Sequence, residues 1–248
     1  MNAICLITLQ PNKIWCDFLN SFSKYKIFII VDDNNFDCYP FEIYKNISFI
    51  KVLDEKCKLA GYMDSNFVIG KLISGWDKAL YYFGVEIKID LNLVWFIEDD
   101  VYFYNEQTIE DIDRQHKGAD LLTNKYRTHT TANANEWHWN RIQIHYPLPF
   151  YSAMVCAARF SKNMICCVHS YAASHKTLFF LEALFPTLVL KNNLIYSTPK
   201  ELETIYYRHE FQKQNITTNN MYHPEKNLNN HVQLRQHVDR YEKNCIFI

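Results

Sequence analysis

The sequence predicts an α/β fold built on a parallel sheet, and three observations predict it. Residues 3–9 (Ala-Ile-Cys-Leu-Ile-Thr-Leu) and 26–31 (Lys-Ile-Phe-Ile-Ile-Val) are short, nearly continuous apolar runs, the pattern of strands covered on both faces. Between them Ile14, Trp15, Phe18, Leu19 and Phe22 recur at helical spacing, so a β-α-β unit opens the chain. The third observation is Val94-Trp95-Phe96-Ile97, a bulky apolar run that leads straight into Glu98-Asp99-Asp100. Acids at the C-terminal end of a buried strand lie where open α/β sheets bind their ligands.

The remaining elements follow in order. Pro11 opens the first helix, since proline is pre-set for a first turn. Residues 47–52 form a third strand. Residues 65–84 suit a helix, with Phe67, Leu72, Trp76, Leu80 and Phe83 as its apolar stripe. It leads to the acid-ended strand at 93–98, and 119–123 is a further short strand. Residues 124–148 break the pattern, with Thr128-His129-Thr130-Thr131 and Trp137-His138-Trp139 in a polar, aromatic-rich loop; loops of that length are usually functional or disordered. A strand at 152–160 and a helix near 161–171 follow. Residues 177–190 are apolar around Glu182, and the tail from 213 is rich in Asn, His and Lys.

The chain has 248 residues, which fits one domain. We expect residues 1–123 to form one half of it and 124–248 the other. The net charge is -1, so no global field favours nucleic acid or an anionic membrane. No stretch is long and apolar enough to span a bilayer. The start, 1–9, has neither a basic leader nor a cleavage site. None of the eight cysteines forms a C-x-x-C pair, so they read as reduced core thiols of a cytoplasmic protein rather than a zinc site. Only five glycines are present, and neither phosphate-cradling glycine fingerprint occurs.

The three acids are costly to bury unless something pairs their charge. Mg²⁺ or Mn²⁺ is the simplest partner for carboxylates. Alternate side chains on an extended segment point the same way, so Glu98 and Asp100 face one cation while Asp99 turns to a different contact. The competing reading is an acidic turn that merely ends the strand.

An opening β-α-β, a second strand ending in Asp32-Asp33-Asn34 and a mid-chain Trp95-Phe96-Ile97-Glu98-Asp99-Asp100 together resemble nucleotide-sugar-dependent glycosyltransferases of the GT-A fold. The resemblance lies in element order over roughly residues 3–190. It implies a Rossmann-like, mixed, mostly parallel sheet flanked by helices. It implies a UDP-sugar donor, Mn²⁺ or Mg²⁺ as cofactor, and a glycan, glycoprotein or other hydroxyl acceptor. The family usually carries Asp at both ends of the triplet; Glu98 departs from this and leaves Asp100 as the safer ligand. By the same resemblance Asp32, Asp33, Asp77, Lys78, Asp99 and Lys226 contact the donor, with Arg235 an alternative to Lys226 on the diphosphate.

For His223, in Tyr222-His223-Pro224-Glu225-Lys226, the resemblance implies a third metal ligand; His209, His231 and His237 compete. Glu182 is the expected base, because a carboxylate in an apolar run loses solvation and gains basicity. Its alternative is a solvent-facing helix position. Arg127, His129, Trp137 and Trp139 suit an acceptor site, since aromatic faces stack on sugar rings; a packed aromatic cover over the sheet is the other reading. Two other functions stay open: a metal-dependent nucleotidyl- or phosphotransferase, and a non-catalytic carbohydrate-binding protein on this scaffold.

Overall fold

The computed structural model describes residues 1–133 and 136–245, with the side chains at 133, 213 and 240–245 excepted. The chain runs β1 (Asn2–Thr8), α1 (Lys13–Leu19), β2 (Lys26–Val31), β3 (Ile47–Ile50), α2 (Asp54–Ala60), α3 (Gly75–Tyr81), β4 (Leu93–Glu98) and α4 (Glu106–Gln115). It continues through β5 (Leu121–Leu122), β6 (Arg127–His129), β7 (Phe150–Ser152), β8 (Ala157–Ser161), α5 (Lys162–His175), α6 (Leu181–Lys191), β9 (Tyr196–Ser197) and α7 (Leu228–Cys245).

Seven strands form one sheet in the order β3-β2-β1-β4-β8-β5-β9. Only β8 runs antiparallel to its neighbours; the other pairs are parallel. The sheet is therefore mixed and mostly parallel, with helices on both faces. Alternate side chains of each strand enter opposite layers. Ala3, Cys5, Ile7, Phe28, Ile30, Val94 and Phe96 pack with α3, α5 and α6. Ile4, Leu6, Ile27, Ile29, Val31, Trp95 and Ile97 pack with α1 and α4. Burial on both faces is why these strands read as continuous apolar runs. Strands β6 and β7 make a separate antiparallel pair.

Several boundaries differ from the sequence reading. Asn12, not Pro11, caps α1 by accepting from the Trp15 N–H. The helix expected at 65–84 starts only at Gly75, because Gly70 turns the chain at φ 81° and Ser74 with Asp77 forms a capping box. The strand expected at 152–160 splits: Ser152 ends β7, paired to β6, and Ala157 opens β8 beside β4. The tail builds a long helix, α7. Seven cysteines are free. Cys5, Cys16, Cys57 and Cys156 are buried, but Cys166 is exposed, so it is not a core thiol. The side chain of Cys245 lies outside the described residues.

Gly84 lies in the π-helical turn after α3 (Tyr82–Glu86). A Cβ there would stand 2.3 Å from the hydroxyl of buried Tyr62, which is itself 3.0 Å from His169 Nδ1. We expect Gly84→Ala to lower unfolding free energy by about 1–3 kcal/mol, the usual cost of overpacking. Urea denaturation measures it; an unchanged midpoint would show that Tyr62 yields freely.

Candidate active site

The site grows from the C-terminal end of β4. Antiparallel pairing of Ile97 with Ala157 sets Glu98 beside Cys156, and the Glu98 amide donates to the Cys156 carbonyl at 2.9 Å. Trp76, from α3, donates its indole N–H to the Glu98 carboxylate at 2.6 Å. Asp99 turns away: Thr8 Oγ1 donates to its carboxylate, and Trp15 Nε1 donates to its carbonyl at 2.8 Å. Glu98 and Asp99 thus face different contacts, as strand alternation requires.

His223 reaches the site on a C-terminal strap. Tyr222 bridges to Tyr102 just past the acids, and His223 bridges to Ile205. The Glu225 amide donates to the Asp100 carbonyl at 2.7 Å. His231 Nε2 then sits 2.9 Å from the Glu225 carbonyl, and α7 packs against α1. Arg235 fixes that contact, with its guanidinium 3.4 Å from the Phe18 ring centroid and hydrogen-bonded to the Phe103 carbonyl. Arg235 is therefore spent on packing and leaves the diphosphate set. His231 is wholly buried and held by the Glu225 carbonyl, His209 and His237 are exposed, and of the four only His223 has a ring nitrogen within 4 Å of a carboxylate.

The imidazole of His223 has a defined orientation. Nδ1 faces the Tyr206 carbonyl, which can only accept, so Nδ1 carries the proton in the neutral ring. Nε2 is left 3.4 Å from Asp100 Oδ1. A histidine held by its other nitrogen on a backbone carbonyl is the usual arrangement for a metal ligand.

Glu182 enters from the first turn of α6, where its carbonyl accepts from the Ala153 amide at 2.8 Å. Burial pushes its carboxyl up to about 8, with the Glu98 charge adding to the rise and His223 opposing it. Burial and then Asp100 push Glu98 up to about 7, against the Trp76 hydrogen bond. His223 rises because its bonds to Asp100 and Tyr206 outweigh its burial. Four ionisable side chains from β4, α6 and the strap thus feel one another's charge. Among the described residues no Lys or Arg pairs with Glu98, Asp100 or Glu182. Burial thus favours the protonated form of Glu98 and Glu182, and a cation placed among them would favour the ionised form. One set of ligand atoms, on Glu98, Cys156 and His223, lies within 4.8 Å of one another. In the sequence Cys156 reads only as one of the reduced core thiols. It carries no motif, and only the β4–β8 register places it.

The other expected donor contacts divide. Asp32 directly follows β2, and its carboxylate meets Lys78 at 2.9 Å and Lys71 at 3.1 Å. Asp33 lies in the turn beyond, accepting from Gln10 Nε2 and the Asn35 amide. Those bonds, Gln10 first, hold its carboxyl below the ordinary value. Lys78 is buried, and besides Asp32 its ammonium meets Asp54 at 3.0 Å. Asp77 is also buried, and its oxygens accept from Ser74 N–H, Ser74 Oγ and the Ser65 amide. Asp77 and Lys78 are therefore taken up by protein partners rather than set out for phosphate: Asp77 caps α3, and Lys78 ties α3 to Asp32 and Asp54. Lys226 is exposed beside a cavity of about 540 Å³, lined also by Tyr207, Arg208, His209, Glu210 and Pro224.

The expected acceptor residues also divide. His129 stacks on Trp139 at 4.3 Å, and both are buried, so they belong to the aromatic cover over the sheet. Trp137 is 37% exposed and packs 5.5 Å from Phe180, two residues before Glu182. Arg127 is exposed on β6.

No protein-family model matches this chain, and no curated protein does. Among solved structures it is similar to 4-diphosphocytidyl-2C-methyl-D-erythritol synthase from Anaerococcus prevotii, at 8% identity and TM-score 0.47 over 96% of this chain and 95% of that one. It is also similar to galactosyltransferase LgtC in complex with donor and acceptor sugar analogs, at 10% identity and TM-score 0.48 over 95% of each chain. Likenesses this distant concern the course of the chain and say nothing of chemistry. No described helix is long and apolar enough to cross a membrane.

Proposed function

We propose that this chain is a glycosyltransferase that moves a sugar from a nucleotide-sugar donor to an acceptor hydroxyl. One observation carries the reading. Glu98, Asp100, His223 and Glu182 come from three parts of the chain to the C-terminal end of a parallel strand, and among the described residues no Lys or Arg pairs with the three acids. Glu98, Asp100 and His223 would hold a divalent cation, Mn²⁺ or Mg²⁺. When bound, it supplies positive charge against a diphosphate leaving group.

The chain's own residues do the rest. Asp32 and Asp33 offer acceptors to ribose hydroxyls or a base N–H at the end of β2. Arg208 and Lys226 line the cavity at Pro224, the residue after His223, and would offset phosphate charge. Asp99 holds the acid turn against Thr8 rather than touching donor. Trp137 presents an aromatic face to an acceptor sugar, with Arg127 at its border. Glu182, kept basic by burial, takes the proton of the attacking hydroxyl. Attack opposite the leaving group inverts the anomeric centre. UDP is the expected nucleotide by the resemblance noted above.

The test is a thermal-shift and turnover series on wild type and Asp100→Ala. Nucleotide sugar with Mn²⁺ should stabilise the wild type, by about 2.7 kcal/mol at a hundredfold excess over Kd, with release of nucleoside diphosphate. Asp100→Ala should lose the cation-dependent part. Equal shifts in the two proteins would count against the cation site. Release of pyrophosphate from a nucleoside triphosphate and a sugar phosphate would establish nucleotidyl transfer instead.

A further inference from the structure

Among the described residues, the one set of ligand-type side chains drawn together is a carboxylate, an imidazole and a thiol, and its thiol is the unusual member. Cys156 is buried where β8 begins, opposite the end of β4. Its Sγ shares a 4.8 Å cluster with Glu98 oxygen and His223 nitrogen. The placement is not incidental, because each member is held independently. The backbone bond from Glu98 to Cys156 fixes the two strands. The Trp76 indole orients the Glu98 carboxylate. The Tyr206 carbonyl orients His223 so that Nε2 faces inward.

Around a tetrahedral cation with bonds of about 2.0–2.3 Å, neighbouring ligand atoms stand roughly 3.5 Å apart. A cluster within 4.8 Å needs only side-chain adjustment to close on one ion. Three protein ligands leave a fourth position, and Asp100, 3.4 Å from His223 Nε2, lies beside it.

We propose that Cys156 is a cation ligand, and that the Glu98–Cys156–His223 set makes this centre prefer Zn²⁺ or Co²⁺ to Mn²⁺ and reject Mg²⁺. The inference rests on the cation site proposed above and changes which ion it takes. Oxygen-only sites suit Mg²⁺ and Mn²⁺, whereas imidazole and thiolate move preference towards Co²⁺ and Zn²⁺. On binding, the S–H bond is exchanged for a sulfur–metal bond, and the proton leaves to solvent. No oxidant or reductant is involved.

Titration of the full chain with Co²⁺ tests this by absorbance. A thiolate-to-cobalt charge-transfer band should appear in the wild type. It should vanish in Cys156→Ser and persist in Cys166→Ser, which removes the exposed thiol. Thermal shifts should rank Zn²⁺ and Co²⁺ above Mn²⁺ in the wild type. Cys156→Ser should bind Zn²⁺ at least tenfold more weakly while keeping its response to Mn²⁺. His223→Ala, which leaves the thiol intact, should also weaken the band and serves if the serine variant does not fold. Cobalt binding without a sulfur band, or unchanged Zn²⁺ affinity in Cys156→Ser, overturns the role of Cys156 and leaves the cation site standing. No response to any of the four ions overturns both.

Discussion

Glu182→Gln should cut sugar transfer by about 10²–10⁴-fold, the usual contribution of a positioned base, while donor binding stays intact. The amide keeps the shape of the side chain but cannot take a proton. Full turnover in the variant would eliminate Glu182 as base. A second readout does not depend on substrate. The Glu182 carboxyl is pushed up to about 8 in the folded chain, by burial first and by Glu98 second. An unfolded glutamate titrates near 4.3. Between those values the folded chain keeps a proton that the unfolded chain has lost, so stability falls as pH rises through the window and levels off above it. Glu98, pushed up to about 7, adds to the same slope.

Removing Glu182's share should therefore stabilise the cation-free variant by on the order of 5 kcal/mol at pH 8.5 and by about 1 kcal/mol at pH 5. Urea unfolding at the two pH values reads the difference. Parallel pH profiles for variant and wild type would mean that the carboxyl is solvated. Added cation should flatten the wild-type slope, since positive charge favours the ionised form of both acids.

Asp113→Ala should destabilise the fold by about 3–5 kcal/mol, the cost of stranding a buried charge. Arg159 is fully buried on β8. Its guanidinium meets Asp113 at 3.1 Å and donates to the carbonyls of His116 and Ala119. The same aspartate accepts from Trp95 Nε1 at 3.0 Å and Tyr25 OH at 2.7 Å. The alanine variant leaves one cation and two donors unpaired. Arg159→Met combined with Asp113→Leu removes both charges and should recover only the part of the loss due to the stranded charge, since Trp95 Nε1, Tyr25 OH and the His116 and Ala119 carbonyls stay without these partners. A loss below 1 kcal/mol in the single variant would show that water replaces the carboxylate. The network also bears on the site: Arg159 pairs across from Trp95, three residues before Glu98, on the strand that carries Cys156.

The legible part of the fold was the part whose side chains face protein on both sides. β1, β2 and β4 print as unbroken apolar runs because both layers bury them. The short strand at 119–123 was legible and holds β5, whereas β9 carries only two residues, too few to show a period. α4 and α7 went unread in the sequence because their polar faces outweigh their buried stripes. In the site, the acids at 98–100 stood out because three carboxylates in a row continue a bulky apolar run. Asp77 and Lys78 looked equally chemical, yet their partners are Ser74, Ser65, Asp32 and Asp54, and pairing is invisible in a linear chain.

The chain by itself determined the α/β class, the central strands and the end of the sheet where charge collects, because burial and alternation are local properties of side chains. Tertiary structure alone decided that His223 rather than His209, His231 or His237 meets Asp100, that half-buried Arg235 is engaged by Phe18 and Phe103, and that a thiol joins the acids. Those choices depend on which distant segments share a few ångströms of space, and strand register with the path of the C-terminal strap sets that.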